Sequence, residues 1–209
     1  QETERLRGEL TEAEYFYLLA CLLSAVPYVA NITGTFAAYL KFWDKRTYNP
    51  LLLKPLGIVE SQRPCRATNC DAKDLARQLK ADVAYLDPPY NQHPYGSNYF
   101  MLNVIAENSL SGPLSRVSGI PAGWNRSDYN KPARALCALE GLIRDVPARY
   151  VLISYNSEGF ISPGQMEEML APLGRVEKTA VNYNVYRASR NLSARETHVR
   201  EYLFLLKKQ

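Results

Sequence analysis

A chain of 209 residues is long enough for one α/β domain with a buried core, or for such a core with a small appendage. Its composition, 46% hydrophobic and 11% aromatic, argues against disorder over the whole length. The formal charge of +4 is compatible with a nucleic-acid partner and does not demand one. Residues 4–26 read as a helix, because Leu18, Leu19, Leu22, Leu23 and Val26 recur at a helical spacing after an acidic first stretch. Pro27 ends it. Residues 28–55 are aromatic, basic and loop-like, up to the Asn49-Pro50 turn signal. Residues 65–69 are a strand candidate, followed by a helix over 72–80 that Asp71 can cap. Residues 82–86 form a strand that runs into Asp87-Pro88-Pro89-Tyr90.

Beyond that turn the pattern predicts a helix at 98–107, a long loop at 109–129, a helix at 132–144, a strand at 149–154 and a helix at 162–173. Two β-like runs, 176–186 and 199–207, close the chain around the basic segment 187–198. Strand–helix alternation predicts an α/β fold with a mainly parallel sheet covered on both faces. The last two strands, with no helix between them, predict an antiparallel hairpin at its edge.

Cys21, Cys65, Cys70 and Cys137 form no CxxC pair, and only His93 and His198 can join them, so no metal site is expected. Reduced thiols in a cytoplasmic protein are the simplest reading. No apolar run reaches the roughly 20 residues that span a bilayer. Residues 15–29 are short, broken by Pro27 and without a basic leader or a small-residue cleavage pattern, so no signal peptide is expected. The chain starts at Gln1 and enters a helix at once, which predicts a fragment.

Ligands of open α/β sheets sit beyond the carboxyl ends of the strands, where Asp87-Pro88-Pro89-Tyr90 falls. Two prolines fix φ and restrict the residue before them, so the turn holds a carboxylate, the Pro88 carbonyl and an aromatic face together. That set suits the exocyclic amine of an adenine, whose lone pair is delocalised into the ring. Two acceptors on its hydrogens draw the nitrogen toward tetrahedral geometry and aim the lone pair at an incoming methyl group. Tyr90 can stack on a base flipped out of the duplex. The alternative is a plain Pro-Pro turn whose aspartate bonds its own backbone.

The tetrapeptide resembles the catalytic one of amino-methyltransferases acting on nucleic acid, and nearly the whole chain is similar to the Dam-like branch of the DNA N6-adenine methyltransferases. Asn31-Ile32-Thr33-Gly34-Thr35-Phe36 resembles the Asn-x-x-Gly-x-Phe segment of that branch. Asn69-Cys70-Asp71-Ala72 resembles the motif whose aspartate binds the adenine of S-adenosylmethionine. Leu152-Ile153-Ser154-Tyr155-Asn156 and Glu201-Tyr202-Leu203-Phe204-Leu205 resemble two later strands of the family.

The resemblance implies a Rossmann-like methyltransferase sheet and S-adenosylmethionine as methyl donor, with no metal. It also implies a monomer acting on double-stranded DNA, with no membrane. By position, Asp87, Pro88, Pro89 and Tyr90 become catalytic, and Asp71 and Asp87 cofactor-binding. Asp71 remains equally readable as a helix N-cap. Residues 1–55 would serve target recognition and 56–209 would be a partial catalytic core. The family's Phe-x-Gly-x-Gly cofactor loop has no counterpart, since the eleven glycines never occur two apart. A missing beginning explains this better than a different cofactor.

Two stretches mix cations with aromatics: Lys41-Phe42-Trp43-Asp44-Lys45-Arg46, and residues 183–200 with Arg187, Arg190, Arg195 and Arg200. Asn31, Lys41, Tyr95 and Arg187 are the candidate nucleic-acid contacts. Each is also readable as part of an ordinary loop, Asn31 as a turn residue. Residues 93–98 read as a loop able to close over the base, or as plain surface. Other planar amines (cytosine N4, an RNA adenine, a glutamine amide), a non-catalytic DNA-binding paralogue and a generic nucleotide-binding domain stay open as alternatives.

Overall fold

The computed structural model describes residues 2–33, 36, 38, 40–110, 112–184 and 198–209. The chain divides into two compact units, Gln1–Cys65 with Tyr95–Asn125, and Arg66–Pro94 with Arg126–Gln209.

The first unit holds α1 (Glu2–Arg5), α2 (Glu12–Ala25), α4 (Tyr95–Asn98) and α5 (Phe100–Glu107). The single helix expected over 4–26 is therefore broken. Thr11 starts α2 through a capping box, its hydroxyl taking the Glu14 N–H while the Glu14 carboxylate takes the Thr11 N–H at 2.8 Å. Tyr15, Leu19, Cys21 and Ala25 are the buried residues of α2. The helix expected at 98–107 divides at Tyr99, and Asn108 ends α5 in the left-handed region at φ 47.

The second unit is built on a four-stranded sheet in the order β1-β2-β4-β3, from β1 (Ala81–Leu86), β2 (Ala148–Asn156), β3 (Gly174–Asn184) and β4 (His198–Lys208). Only β1 and β2 run parallel, with Leu86 opposite Ile153; β4 is antiparallel to both β2 and β3. The sheet is thus mixed where a mainly parallel one was expected. A helical crossover joins β1 to β2, whereas β4 inserts between β2 and β3. Residues 65–69 form no strand; they are irregular and exposed.

α3 (Ala72–Ala76), α6 (Pro132–Asp145) and α7 (Pro163–Leu170) complete the unit. Pro132 occupies the first turn of α6, where its missing N–H costs nothing, and Ala135, Leu139, Leu142 and Ile143 form its buried stripe. Ser162 and Gln165 cap α7 reciprocally, and Met166 and Leu170 point inward. These side chains join Val151, Ile153, Phe204 and Leu206 in one core. Register puts those four strand residues on one sheet face, since Val151 faces Leu206 and Ile153 faces Phe204. On the other parity of β1, Val83 and Tyr85 remain 50% and 61% exposed, so the described helices cover one face. Among the described residues no helix is long and apolar enough to cross a membrane.

Candidate active site

The tetrapeptide leaves the carboxyl end of β1 with Pro88 buried, Asp87 exposed and Pro89 and Tyr90 half-buried. Among the described residues the Asp87 carboxylate and the Pro88 carbonyl have no hydrogen-bond or ion-pair partner. The next two carbonyls are both engaged. Phe160 donates its N–H to the Tyr90 carbonyl at 2.9 Å, and Asn130 Nδ2 donates to the Asn91 carbonyl at 2.8 Å. The turn is therefore gripped on its far side while the acceptors nearest the strand stay open, which is how acceptors are held ready for an incoming donor.

Tyr90 packs against the core and meets Tyr155 edge-to-face, with ring centroids 6.2 Å apart and planes at 69°. Tyr155 is 4% exposed near the end of β2. Its hydroxyl accepts the Ile161 N–H at 3.3 Å. Burial pushes the Tyr155 phenol up, and the backbone N–H groups of Ile161 and Phe160 partly offset this. Beside it, buried Asn156 accepts the Glu158 N–H at 2.7 Å and donates to Glu201 on β4. Asn156 thereby fixes where the chain turns after β2.

Asp71 caps α3, accepting the Lys73 N–H at 2.8 Å through one carboxylate oxygen. It stands close enough to Tyr129 to act on its phenol, which burial first and Asp71 second push up to about 12. Tyr129 and Asn130 belong to one short helical turn, Asp128–Asn130, which therefore reaches both the Asp71 cap and the loop after β1. Among the described residues no three His, Cys, Asp or Glu side chains gather as metal ligands.

The first unit contains three of the candidate nucleic-acid contacts. Asn31 uses both ends of its side chain inside its own loop: Nδ2 donates to the Leu40 carbonyl at 3.0 Å and Oδ1 accepts the Asp44 N–H at 3.1 Å. It braces the segment that presents exposed Lys41, Phe42 and Trp43, the last two 64% and 71% exposed. Tyr95 lies on α4 with its ring 5.8 Å from that of Tyr99, which in turn lies 6.5 Å from Phe36. Gly96 is not a free hinge, because a Cβ there would lie 2.8 Å from the Asn125 carbonyl oxygen. Arg187, Arg190 and Arg195 lie outside the described residues, as do Gly34 and Thr35 of the Asn31 motif.

Residues 1–115 match the family described as D12 class N6 adenine-specific DNA methyltransferase, which is 115 of 209 residues. The chain belongs to that family. It is 37% identical over all of its length to modification methylase StsI of Streptococcus sanguinis, covering 32% of that protein. It is 35% identical over 95% of its length to type II methyltransferase M.FokI of Planomicrobium okeanokoites, covering 31% of it. With type II methyltransferase M.NlaIII of Neisseria lactamica the figures are 34%, 95% and 60%. The chain thus spans about a third of two of these relatives and three fifths of the third. No solved structure matches it.

Family membership agrees with the resemblance read from the tetrapeptide. Residues that the sequence did not single out as site residues are Asn130, Tyr155, Phe160 and the Asn156–Glu201 pair. Each reaches the tetrapeptide or its neighbouring strand from 39 or more residues away in the chain or through β4. One signal was available: Tyr155-Asn156 lies at the end of a strand parallel to β1, the place where site residues gather.

Proposed function

We propose that the chain forms the target-recognition segment (1–55) and the partial catalytic core (56–209) of a site-specific DNA adenine methyltransferase of restriction–modification or phage type. It would move a methyl group from S-adenosylmethionine to N6 of a flipped-out adenine in double-stranded DNA, as a cytoplasmic monomer. The fold this implies is a Rossmann-like methyltransferase sheet with a C-terminal hairpin of β3 and β4. Relatives named modification methylases or type II methyltransferases support the biological role.

One observation carries the chemistry: two acceptors open among the described residues, the Asp87 carboxylate and the Pro88 carbonyl, stand beside an aromatic ring whose backbone is held in place. The two amine hydrogens of adenine match two acceptors. Once both are bound, the nitrogen lone pair turns out of the ring plane toward the donor side. Pro89 keeps the pair rigid, and Tyr90 stacks on the base. After transfer the extra proton leaves to solvent, which reaches exposed Asp87.

S-adenosylmethionine supplies an electrophilic methyl group on a cationic sulfur. The residues present fit it in chemical kind: Asp71 would offer its second carboxylate oxygen to an adenine amine, and Asp87 would add negative charge that suits a cation. Asn31, Lys41, Tyr95 and Arg187 supply the DNA contacts, Asn31 through the loop it braces.

The test is transfer of labelled methyl groups to unmethylated DNA, by this chain and by the longest natural polypeptide that contains it. The expected product is N6-methyladenine, formed at least about a hundredfold more slowly by Asp87→Ala. Label on cytosine, or on RNA but not DNA, overturns the substrate assignment.

A further inference from the structure

We infer that Tyr155, with the tight turn 156–160, is the positioning residue for Tyr90, setting the tilt at which that ring meets the base. The inference rests on the proposed reading of Tyr90 as the stacking face.

The chain meets the tetrapeptide at two points, one at the end of β2 and one in the return turn that follows it. One is backbone, Phe160 N–H to the Tyr90 carbonyl; the other is side chain, Tyr155 edge-on to the Tyr90 ring. The first fixes the height of Tyr90 above the sheet and the second fixes its rotation. Tyr155 is itself immobilised, since its ring is buried in the core and its hydroxyl holds the Ile161 N–H.

The turn between these points admits no slack. Gly159 donates its N–H to the Asn156 carbonyl at 3.0 Å, and a Cβ at Gly159 would overlap the Tyr155 ring. That carbon would meet a buried aromatic ring rather than the far end of a mobile chain, so the ring or the loop must shift. Asn156 locks the corner through Glu158 and Glu201. A loop built only to join β2 to α7 needs neither the ring contact nor the bond to Tyr90. Both point toward the stacking residue, whose orientation has to be fixed before the base arrives, because ordering it at the moment of binding lowers affinity.

The experiment compares wild type, Tyr155→Phe, Tyr155→Leu, Gly159→Ala and Leu139→Ala in the full natural polypeptide. Leu139→Ala opens the same core away from the turn and serves as a stability-matched control. Methyl transfer is followed for kcat and KM. Binding of a single-stranded oligonucleotide containing 2-aminopurine is followed by its emission. Tyr155→Phe keeps the ring edge and should match wild type within about threefold. Tyr155→Leu and Gly159→Ala should lower kcat/KM about tenfold and lose most of the emission change. Leu139→Ala should melt earlier but keep both readouts. The positioning role alone is overturned if Tyr155→Leu and Gly159→Ala keep wild-type emission and kcat/KM, or if Leu139→Ala loses them equally. A wild type that neither methylates nor perturbs the probe overturns the stacking role of Tyr90, and this inference with it.

Discussion

The loop after β1 and the loop after α2 both carry residues expected at the DNA, yet their polar groups are employed in opposite ways. In the first, the Asp87 carboxylate and Pro88 carbonyl have no partner among the described residues, while Tyr90, Asn91 and the turn from β2 do the holding. In the second, the Asn31 amide is consumed at both ends by Leu40 and Asp44, and the exposed groups are cations and aromatics on the segment it braces. A reacting group is best left unpaired and aimed by its neighbours. A phosphate contact needs only a charge presented at the surface, because counterion release carries no directional demand. Removing the key residue should therefore cost activity alone in one loop, and stability together with affinity in the other.

The sharpest test of that contrast is Asp87→Ala. Losing one preorganised acceptor should lower kcat by a hundredfold to a thousandfold, roughly the effect of removing one oxyanion-hole donor elsewhere. The melting temperature should stay within about 1 °C, since an exposed side chain with no partner among the described residues adds little to the fold. Methyl-transfer kinetics beside a thermal melt decide it, and a variant keeping a tenth of the activity would remove Asp87 from the chemistry. Next in size is Tyr90→Ala, where a lost base stack is worth about 1–3 kcal/mol, or roughly tenfold to a hundredfold in kcat/KM. Here some stability goes as well, because the ring also packs on the core and on Tyr155. Tyr90→Phe should restore most of both.

The tetrapeptide was legible in the sequence because everything it needs is local. A strand, two prolines that stiffen the turn, a carboxylate and a ring follow one another without a gap. The Asp71 cap was legible for the same reason, and the structure bears out its capping bond. What grips the tetrapeptide was not legible. Tyr155 and Phe160 arrive through a parallel strand pairing, and Asn130 through a loop that passes no periodic signal, so their proximity is a property of the sheet. Two boundaries could have been found: Thr11-x-x-Glu14 and Ser162-x-x-Gln165 are capping-box spacings, and the first breaks the helix read across 4–26. The strand sought at 65–69 shows the limit of composition. An apolar or β-prone run becomes a strand only beside a partner, and among the described residues that stretch has none.

The loop after α2 supplies the two smaller tests. Asn31→Ala removes a donor and an acceptor that hold Leu40 and Asp44, and should cost about 1–3 kcal/mol of stability by thermal or chemical melting. DNA affinity should fall with it although Asn31 need not touch DNA. An Asn31→Ala protein that folds as well as wild type but no longer binds would instead assign the residue to a base or phosphate. Lys41→Ala is the mildest and the most specific. Exposed Lys41 has no partner among the described residues, so the fold should not notice its loss. If it neutralises one phosphate, binding should weaken by a few fold on every sequence alike, and the slope of log affinity against log salt should fall by about one. Weakening that depends on sequence but not on salt would make it a base reader, and the loop after α2 would then be recognising rather than merely holding the duplex.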